Sequence, residues 1–317
     1  MRTYLDFEKP IAELESKVAE LKALVAAPHS VSIDEELVKL ERKAREALEE
    51  TYSDLTPWQK TQVARHPERP HFRHYVDALV QDFTALSGDR YFAEDQAIVG
   101  GIGRLAGRSV MLLGHEKGSD TESRIKHNFG MARPEGYRKA VRLMEMADRF
   151  QLPVVSLVDT AGAYPGIGAE ERGQAEAIAR STDCCLSLGV PIVAVIIGEG
   201  GSGGAVAIAT ANTVYMLEHA IYTVASPEAA ASILWRDSGR AMDAATNMKI
   251  TAQDLLRLGV IDGIIAEPIG GAHRDGVEVV RATGETIERA LSRYDGLTPA
   301  EIRQERREKF LSMGRPS

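Results

Sequence analysis

The sequence predicts an α/β protein whose central sheet contains parallel strands. Two short, continuous, β-branched apolar runs, Val154–Val158 and Pro191–Ile197, are typical of buried strands. Each run is followed by a glycine-containing turn and then by a helical stretch, and the two turns begin thirty-nine residues apart, at Asp159 and Gly198. Repeated units of this kind indicate parallel strands joined by helices. Their turns then lie at one edge of the sheet, where the ligand sites of α/β proteins form.

The composition is that of a globular protein and excludes several function classes. The chain has 317 residues, of which 44% are hydrophobic and 26% are charged. A net charge of −8 argues against nucleic acid as the main partner, and no apolar run approaches the length of a membrane span. The two cysteines, Cys184 and Cys185, are adjacent and cannot alone build a disulfide framework or a zinc ribbon. Free thiols in a reduced compartment predict a cytoplasmic protein.

Residues 1–55 are predicted to form a helical extension in front of the main domain. A first apolar stripe with helical spacing ends before Pro28 and consists of Ile11, Leu14, Val18, Leu21 and Val25. Ser32 and Glu35 form a capping-box pattern for a second helix, whose apolar positions are Leu37, Leu40, Ala44 and Leu48. Together the two stripes indicate a helical hairpin that packs on itself, on the main domain or at an oligomer interface.

Residues 56–295 are predicted to form the main domain, and residues 296–317 a charged helical tail. Thr56, Pro57 and Gln59 form the capping pattern of a helix start. The expected strands are Ile98–Val99 and Ser109–Leu113, which flank a glycine-rich hairpin, then Val154–Val158, Pro191–Ile197, Thr213–Met216, Ile221–Val224 and Val260–Ile265. Helices are expected over about residues 170–187, after the N-cap Ser226, and from the N-cap Thr251 to Gly259.

The glycine segment Gly198–Ala205 matches more than one motif. Glycine lets the backbone turn sharply and approach a ligand closely, and a helix start directs N–H groups at negative charge. Three of its glycines have the spacing of a dinucleotide-binding fingerprint, with Glu218 about twenty residues further on. The fingerprint normally opens its domain, whereas this segment follows an earlier strand-and-turn unit. A Gly-Lys pair is absent from the sequence, which excludes a P-loop for ATP.

Two further interpretations of the same segment place the chemistry at its end. Ser202, between two glycines, fits a nucleophile elbow, and Asp262 followed by His273 supplies the required order of acid and base. Alternatively, the amides of Gly203 and Gly204 form a backbone oxyanion hole. Purely structural glycines remain the fourth possibility, because short motifs also match by accident.

Two other segments are candidates for ligand binding. The turn after the first strand, Asp159–Gly166, is either a tight structural loop or the wall of a cleft shared with Gly203 and Gly204. The stretch 117–142 carries seven Lys or Arg against three acidic residues in an otherwise acidic chain. It is either a solvated helix face or a site for a carboxylate or phosphate group.

Several segments together resemble a known family. They are Asn128–Lys139, Asp159–Gly173, Gly198–Gly204 and Ser226–Glu228, and the resemblance runs from Leu5 to about His273. On these segments the chain resembles the α subunits of bacterial acetyl-coenzyme A carboxylase carboxyltransferases. Ala132 and Ala161 stand where many members have proline, but neither change removes a candidate chemical group.

The resemblance implies a crotonase-like fold, a spiral of repeated ββα units, preceded here by the helical hairpin. It also implies transfer of a carboxyl group from carboxybiotin, on a biotin carboxyl carrier protein, to acetyl-CoA, which gives malonyl-CoA. The expected partner is a β subunit that carries a zinc ribbon and binds most of the CoA, in an α2β2 assembly. A separate biotin carboxylase would use the ATP, and this chain would bind no metal.

The resemblance also implies roles for particular residues. The amides of Gly203 and Gly204 would hold the negative charge left on biotin, and Arg138 would lie near the transferred carboxylate. The expected substrate-binding residues are Gly162, Tyr164, Gly166, Gly200, Gly201, Lys117 and Arg133. No side chain is assigned as a general base. The rival hypotheses are a single-chain crotonase-fold enzyme such as a hydratase, a serine hydrolase that uses Ser202, and a structural subunit.

Overall fold

The centre of the computed structural model is one mixed sheet of eight strands, and the structure describes residues 2–25 and 34–314. The two central strands, residues 154–160 and 192–201, are buried over their whole length, as is typical of parallel strands in the middle of a covered sheet. In chain order the strands are β1 (Val80–Ala85), β2 (Ile98–Leu105), β3 (Arg108–His115), β4 (Val154–Thr160), β5 (Ile192–Gly201), β6 (Thr213–Leu217), β7 (Ile221–Thr223) and β8 (Gly263–Ile265).

Helices connect and cover these strands. Along the described chain they are α1 (Lys9–Val25), α2 (Asp34–Ser53), α3 (Pro57–Ala64), α4 (Phe72–Leu79), α5 (Thr121–Lys126), α6 (Pro134–Arg149), α7 (Ile167–Glu171), α8 (Gln174–Ser187), α9 (Ser202–Ala209), α10 (Pro227–Trp235), α11 (Ala241–Asn247), α12 (Ala252–Arg257), α13 (Gly276–Ser292) and α14 (Pro299–Ser312). The predicted N-caps Thr56, Ser226 and Thr251 each accept a hydrogen bond from the first turn of their helix, as their sequences indicate.

The strand order brings several strand ends to one edge of the sheet. The order is β1-β2-β3-β4-β5-β6-β8, antiparallel from β1 to β3 and parallel from β3 onward. β1 contains a register shift between Gln81 and Thr84. β7 pairs with the last three residues of β5, beyond the part that pairs with β6. The carboxyl ends of β3, β4 and β5 are therefore neighbours, and the candidate site lies there.

Several local predictions were wrong in detail. The strand predicted over Ile98–Val99 extends to Leu105 as β2. The strand predicted over Pro191–Ile197 continues as β5 to Gly201, because β7 supplies hydrogen-bond partners to the glycine segment. The helix expected over about residues 170–187 is divided into α7 and α8, because Gly173 takes a left-handed conformation with φ of 80°. The last strand is shorter than expected and starts at Gly263.

The N-terminal extension packs against the far end of the chain. The two predicted helices of the extension are present as α1 and α2. The predicted turn between them and the capping residue Ser32 lie outside the described residues. Glu8, just before α1, is fully buried, and it accepts hydrogen bonds from Tyr52 Oη (3.0 Å) and Arg274 Nη2 (3.2 Å). One side of the hairpin thus rests on the main domain.

The predicted helical tail forms α14, which is held by one buried cation. The guanidinium of Arg306 donates to the carbonyl oxygens of Cys185 (2.6 Å), Leu188 (2.8 Å) and Val190 (2.7 Å). It also donates to Asn212 Oδ1 (2.9 Å from Nε). Cys185 and Leu188 lie at the C-terminal end of α8, whose last carbonyls have no partner within the helix, and Val190 lies just before β5.

Candidate active site

The turn from β5 into α9 presents backbone N–H groups at the sheet edge. Ser202 makes the change of direction with a positive φ of 51°, and α9 begins at this residue. Gly203 and Gly204 follow in the first helical turn, whose N–H groups have no partner within the helix. No side chain in the described ranges caps α9. These amides and the helix dipole together favour an anion at this turn.

The loop after β4 packs directly against this turn. A Cβ added to Gly204 would lie 2.8 Å from the carbonyl carbon of Gly162 and 2.9 Å from the amide nitrogen of Ala163. A Cβ on Gly201 would likewise collide with the carbonyl of Ala161. Only glycine fits at these contacts, so the structure brings Gly162, Gly201 and Gly204 together. By contrast, a Cβ on Gly203 would meet only the side chain of Ile178, at 3.2 Å.

A buried ion cluster lies beside the turn, at the ends of β3, β4 and β5. The ammonium of Lys117 lies 2.7 Å from Asp159 Oδ1 and 3.0 Å from Glu199 Oε2. Arg65 Nε lies 2.6 Å from Glu199 Oε1, and His71 Nδ1 lies 3.5 Å from Asp159 Oδ2. Asp159 Oδ1 also accepts a hydrogen bond from the Glu199 amide (3.0 Å). These five side chains line a cleft of about 300 Å³.

The ions of this cluster hold one another in their charged forms. Burial alone would raise the pKa of Asp159, but the Lys117 ammonium and His71 more than offset it and hold that pKa well below its usual range. Burial also opposes ionisation of Glu199, whose pKa is nevertheless lowered by Lys117 and Arg65. The two carboxylates in turn raise the pKa of Lys117 against its burial. Lys117, Asp159 and Glu199 are therefore ionised at neutral pH.

The structure places Arg138 and Arg133 away from this cluster, on aromatic rings. The Arg133 guanidinium lies 5.0 Å from the centroid of the Tyr164 ring, which itself packs against Gly166. Arg138 lies 5.3 Å from the ring of Tyr91 and donates to the carbonyl of Arg172. The two arginines line separate clefts of about 340 and 550 Å³. The predicted role of Arg138 at the transferred carboxylate stays a prediction.

The two other interpretations of the glycine segment do not fit the structure. Asp262 contacts Lys309, and His273 stacks on His66 with ring centroids 3.8 Å apart, so neither orients a base toward Ser202. The dinucleotide fingerprint requires a glycine turn, whereas Gly198 and Gly200 lie within β5. The backbone anion site at α9 is the interpretation that the geometry supports.

The sequence matches, over residues 4–314, the model of a family described as acetyl co-enzyme A carboxylase carboxyltransferase-like. The chain belongs to this family. Its relatives include the acetyl-coenzyme A carboxylase carboxyl transferase subunits alpha of Xanthobacter autotrophicus and Nitrobacter winogradskyi, each 67% identical to it over 315 residues. These alignments cover 99% of this chain and 99% and 98% of the two relatives.

Solved structures of carboxyltransferases and decarboxylases share the fold. Transcarboxylase 12S with methylmalonyl-coenzyme A bound aligns with a TM-score of 0.59 and 20% identity, over 74% of this chain and 44% of that one. A Pseudomonas malonate decarboxylase hetero-tetramer in complex with coenzyme A aligns with a TM-score of 0.56 and 16% identity, over 69% of this chain and 85% of that one. The crotonase-like fold implied by the sequence resemblance is thereby confirmed.

Most residues of the ion cluster were not predicted from the sequence. The sequence indicated Lys117 but not Asp159 or Glu199, although each acidic residue directly follows a buried apolar run at the carboxyl end of a parallel strand. That position was a usable signal, because α/β sites form at such ends. Arg65 and His71 carried no comparable signal, since they come from the helix α3 and the start of α4, far away in sequence.

The described residues contain neither a group of metal ligands nor a membrane-spanning helix. Between residues 2 and 25 and between 34 and 314, no three His, Cys, Asp or Glu side chains are grouped so that they could hold a metal ion. No helix of that part of the chain is both long and apolar enough to cross a bilayer. Cys184 and Cys185 are buried free thiols, and burial raises the pKa of each to about 12.

Proposed function

We propose that this chain is the α subunit of the carboxyltransferase component of acetyl-CoA carboxylase. In this function a carboxyl group passes from carboxybiotin, on a carrier protein, to acetyl-CoA and gives malonyl-CoA, the first committed step of fatty acid synthesis. Membership of the family supports the reaction. The main observation in support of the site is the uncapped first turn of α9, in which Gly204 packs against the loop after β4.

This turn fits the biotin side of the reaction. Bound carboxybiotin would supply the carboxyl group, and its ureido oxygen would keep the negative charge. We propose that the amides of Gly203 and Gly204 hold that oxygen, because they are preorganised donors at a helix start. Loss of one such donor typically costs about 3–4 kcal/mol in the transition state.

The ion cluster is proposed to position the turn rather than to transfer a proton. Lys117 bridges Asp159 and Glu199, and Asp159 Oδ1 accepts from the Glu199 amide, so the ends of β4 and β5 are tied together. The loop that packs on Gly204 begins directly after β4. Gly162, Tyr164, Gly166, Gly200, Gly201 and Arg133 are proposed to shape the substrate cleft, and Arg138 to meet the carboxylate.

The remaining partners belong to the same proposal. We expect a β subunit of related fold that carries a zinc ribbon and binds most of the CoA, in an α2β2 assembly. The biotin carboxyl carrier protein would present the biotin, and a separate biotin carboxylase would use the ATP. The buried free thiols suit a reducing compartment, so we place the reaction in the cytoplasm.

The first test is carboxyl transfer between malonyl-CoA and free biotin. It is measured with this chain alone, with the zinc-ribbon β subunit alone, and with both. Activity only in the mixture supports a site shared between the subunits. Activity of this chain alone would instead favour a single-chain crotonase-fold enzyme, and no activity in a mixture whose complex is confirmed by mass would favour a structural subunit.

Two matched alanine variants test the anion site in the mixture. Gly204→Ala adds a Cβ that would lie 2.8 Å from backbone, so the turn or the loop must move, whereas Gly203→Ala meets only side-chain atoms of Ile178, at 3.2 Å. A displacement of catalytic donors by about 1 Å costs on the order of 100-fold in rate. We expect kcat to fall by about that factor for Gly204→Ala and by less than about tenfold for Gly203→Ala. Equal activity of both variants would contradict the site.

A further inference from the structure

One tyrosine hydroxyl behind the α9 turn has no hydrogen-bond partner. Tyr137 lies on α6 with its side chain fully buried, and among the residues that the structure describes its Oη has neither donor nor acceptor. A buried hydroxyl without a partner costs free energy and is rare in folded proteins. Its presence beside a proposed site calls for a functional explanation.

The hydroxyl lies where the turn and the loop after β4 meet. A Cβ added to Gly204 would be 3.1 Å from Tyr137 Oη. The same point lies 2.8 Å from the carbonyl carbon of Gly162 and 2.9 Å from the amide nitrogen of Ala163. Tyr137 Oη therefore lies beside the Cα of Gly204, whose amide is one of the two assigned to the anion.

The other polar side chain at Gly204 is also neutral. His115, at the end of β3, is fully buried, and its imidazole ring lies against the Gly204 backbone. Burial lowers the pKa of His115 to about 4 and raises that of Tyr137, so His115 is deprotonated and Tyr137 keeps its proton at neutral pH. Neither group brings a net charge to the turn.

We propose that Tyr137 is a positioning residue of the anion site, whose hydroxyl supports the negative charge held by the amides of Gly203 and Gly204. The proposal rests on the proposed function. The hydrogen of a hydroxyl rotates about its C–O bond, and here no acceptor competes for it. As negative charge develops at the turn, the O–H dipole can direct its positive end toward Gly204. A dipole in a dry interior acts more strongly than it would in water.

The test is the Tyr137→Phe variant, measured by malonyl-CoA and free biotin carboxyl transfer in the complex with the β subunit. We expect kcat to fall about tenfold, which corresponds to about 1.4 kcal/mol. The KM for malonyl-CoA should not change, because the support acts on charge that develops in the transition state. The Tm of the chain should stay equal or rise, because the variant removes an unsatisfied buried donor.

Tyr75→Phe is the matched control. Tyr75, on α4, is also a buried tyrosine, but its hydroxyl lies beside the side chain of Thr283, and we expect its variant to keep wild-type kcat. The proposal is overturned if Tyr137→Phe stays within twofold of wild type, if Tyr75→Phe loses as much activity, or if the loss accompanies a Tm lower by several degrees. Full activity of Gly204→Ala would instead contradict the proposed anion site itself.

Discussion

At the residue scale, the buried charges near the candidate site are paired with one another. Lys117, Asp159 and Glu199 each come from a different strand end, and Arg65 and His71 complete the cluster from helices. A buried ion needs partners because desolvation is costly, so removal of one member leaves the others uncompensated. The cluster thus fixes three strand ends in one arrangement, and it is sensitive to single substitutions.

We predict that Lys117→Met destabilises the chain by about 3 kcal/mol, because two buried carboxylates lose their shared partner. Urea unfolding at pH 7.5 measures the change. Lys9→Met is the control, since Lys9 pairs with Asp6 at 3.0 Å in an ion pair that is almost fully exposed, and its loss should leave the free energy of unfolding nearly unchanged. Equal losses in the two variants would contradict the role of burial.

At the scale of elements, the sequence predicted where helices begin better than how far strands extend. The caps at Thr56, Ser226 and Thr251 were predicted correctly because a cap depends on neighbouring residues. The length of β5 was not, because its glycine segment is a strand only where β7 supplies partners from twenty residues away. β1 and the helices α6 and α13 were also not identified as elements, because tertiary packing decides such segments as much as their own pattern.

α14 shows the same dependence on distant contacts. Its composition predicted a charged helix, and one of those charges, Arg306, is fully buried and donates to the carbonyls that end α8 and lead into β5. Burial lowers the pKa of this guanidinium to about 10, which leaves it charged at neutral pH. One arginine therefore connects the tail to the element that carries the site.

We predict that Arg306→Met loosens α14, because several buried carbonyls lose their donor at once. Amide hydrogen exchange over residues 299–312 should become at least tenfold faster, a change of about 1.4 kcal/mol in local opening. The neighbouring Arg307 is exposed, and Arg307→Met should exchange like the wild type. Unchanged exchange in Arg306→Met would show that other contacts hold the tail.

At the scale of the whole molecule, burial of neutral histidines makes stability depend on pH. Burial lowers the pKa of His115 to about 4 and that of His273 to about 2, against about 6.5 in an unfolded chain. Between these pKa values the unfolded chain binds protons at the two histidines and the folded chain does not. The free energy of unfolding therefore falls as pH falls. Glu267, with a pKa of about 2 beside Arg69, shifts stability in the same direction below about pH 4.5.

We predict that the free energy of unfolding is nearly constant above about pH 7 and falls steadily from about pH 6.5 to 4.5, by up to about 1.4 kcal/mol per pH unit for each such histidine. Urea unfolding at pH 8, 7, 6 and 5 measures the slope. His115→Asn should make the slope shallower by the contribution of one proton. Equal stability at pH 7 and pH 5 would contradict the buried neutral state.

The sequence alone predicted the parallel strands and a helix start after the glycine segment, while the role of Lys117 in substrate binding stays a prediction. It did not predict that Asp159 and Glu199 share that lysine, because their meeting depends on strand order. Tyr137 could not have been selected either, since a tyrosine on an amphipathic helix is ordinarily a core residue. Only the structure distinguishes Tyr137, because it shows that the hydroxyl lies beside Gly204 without a hydrogen-bond partner.

The two edges of the sheet also restrict how subunits can associate. β1, the first edge, has exposed polar positions and an irregular register, with a positive φ at Asp82, and β8, the other edge, has only three residues. Short or distorted edge strands do not accept another strand, which protects a protein from aggregation through sheet extension. A neighbouring subunit must therefore bind through side chains of helices and loops, and the assembled enzyme should contain separate sheets rather than one continuous sheet across the interface.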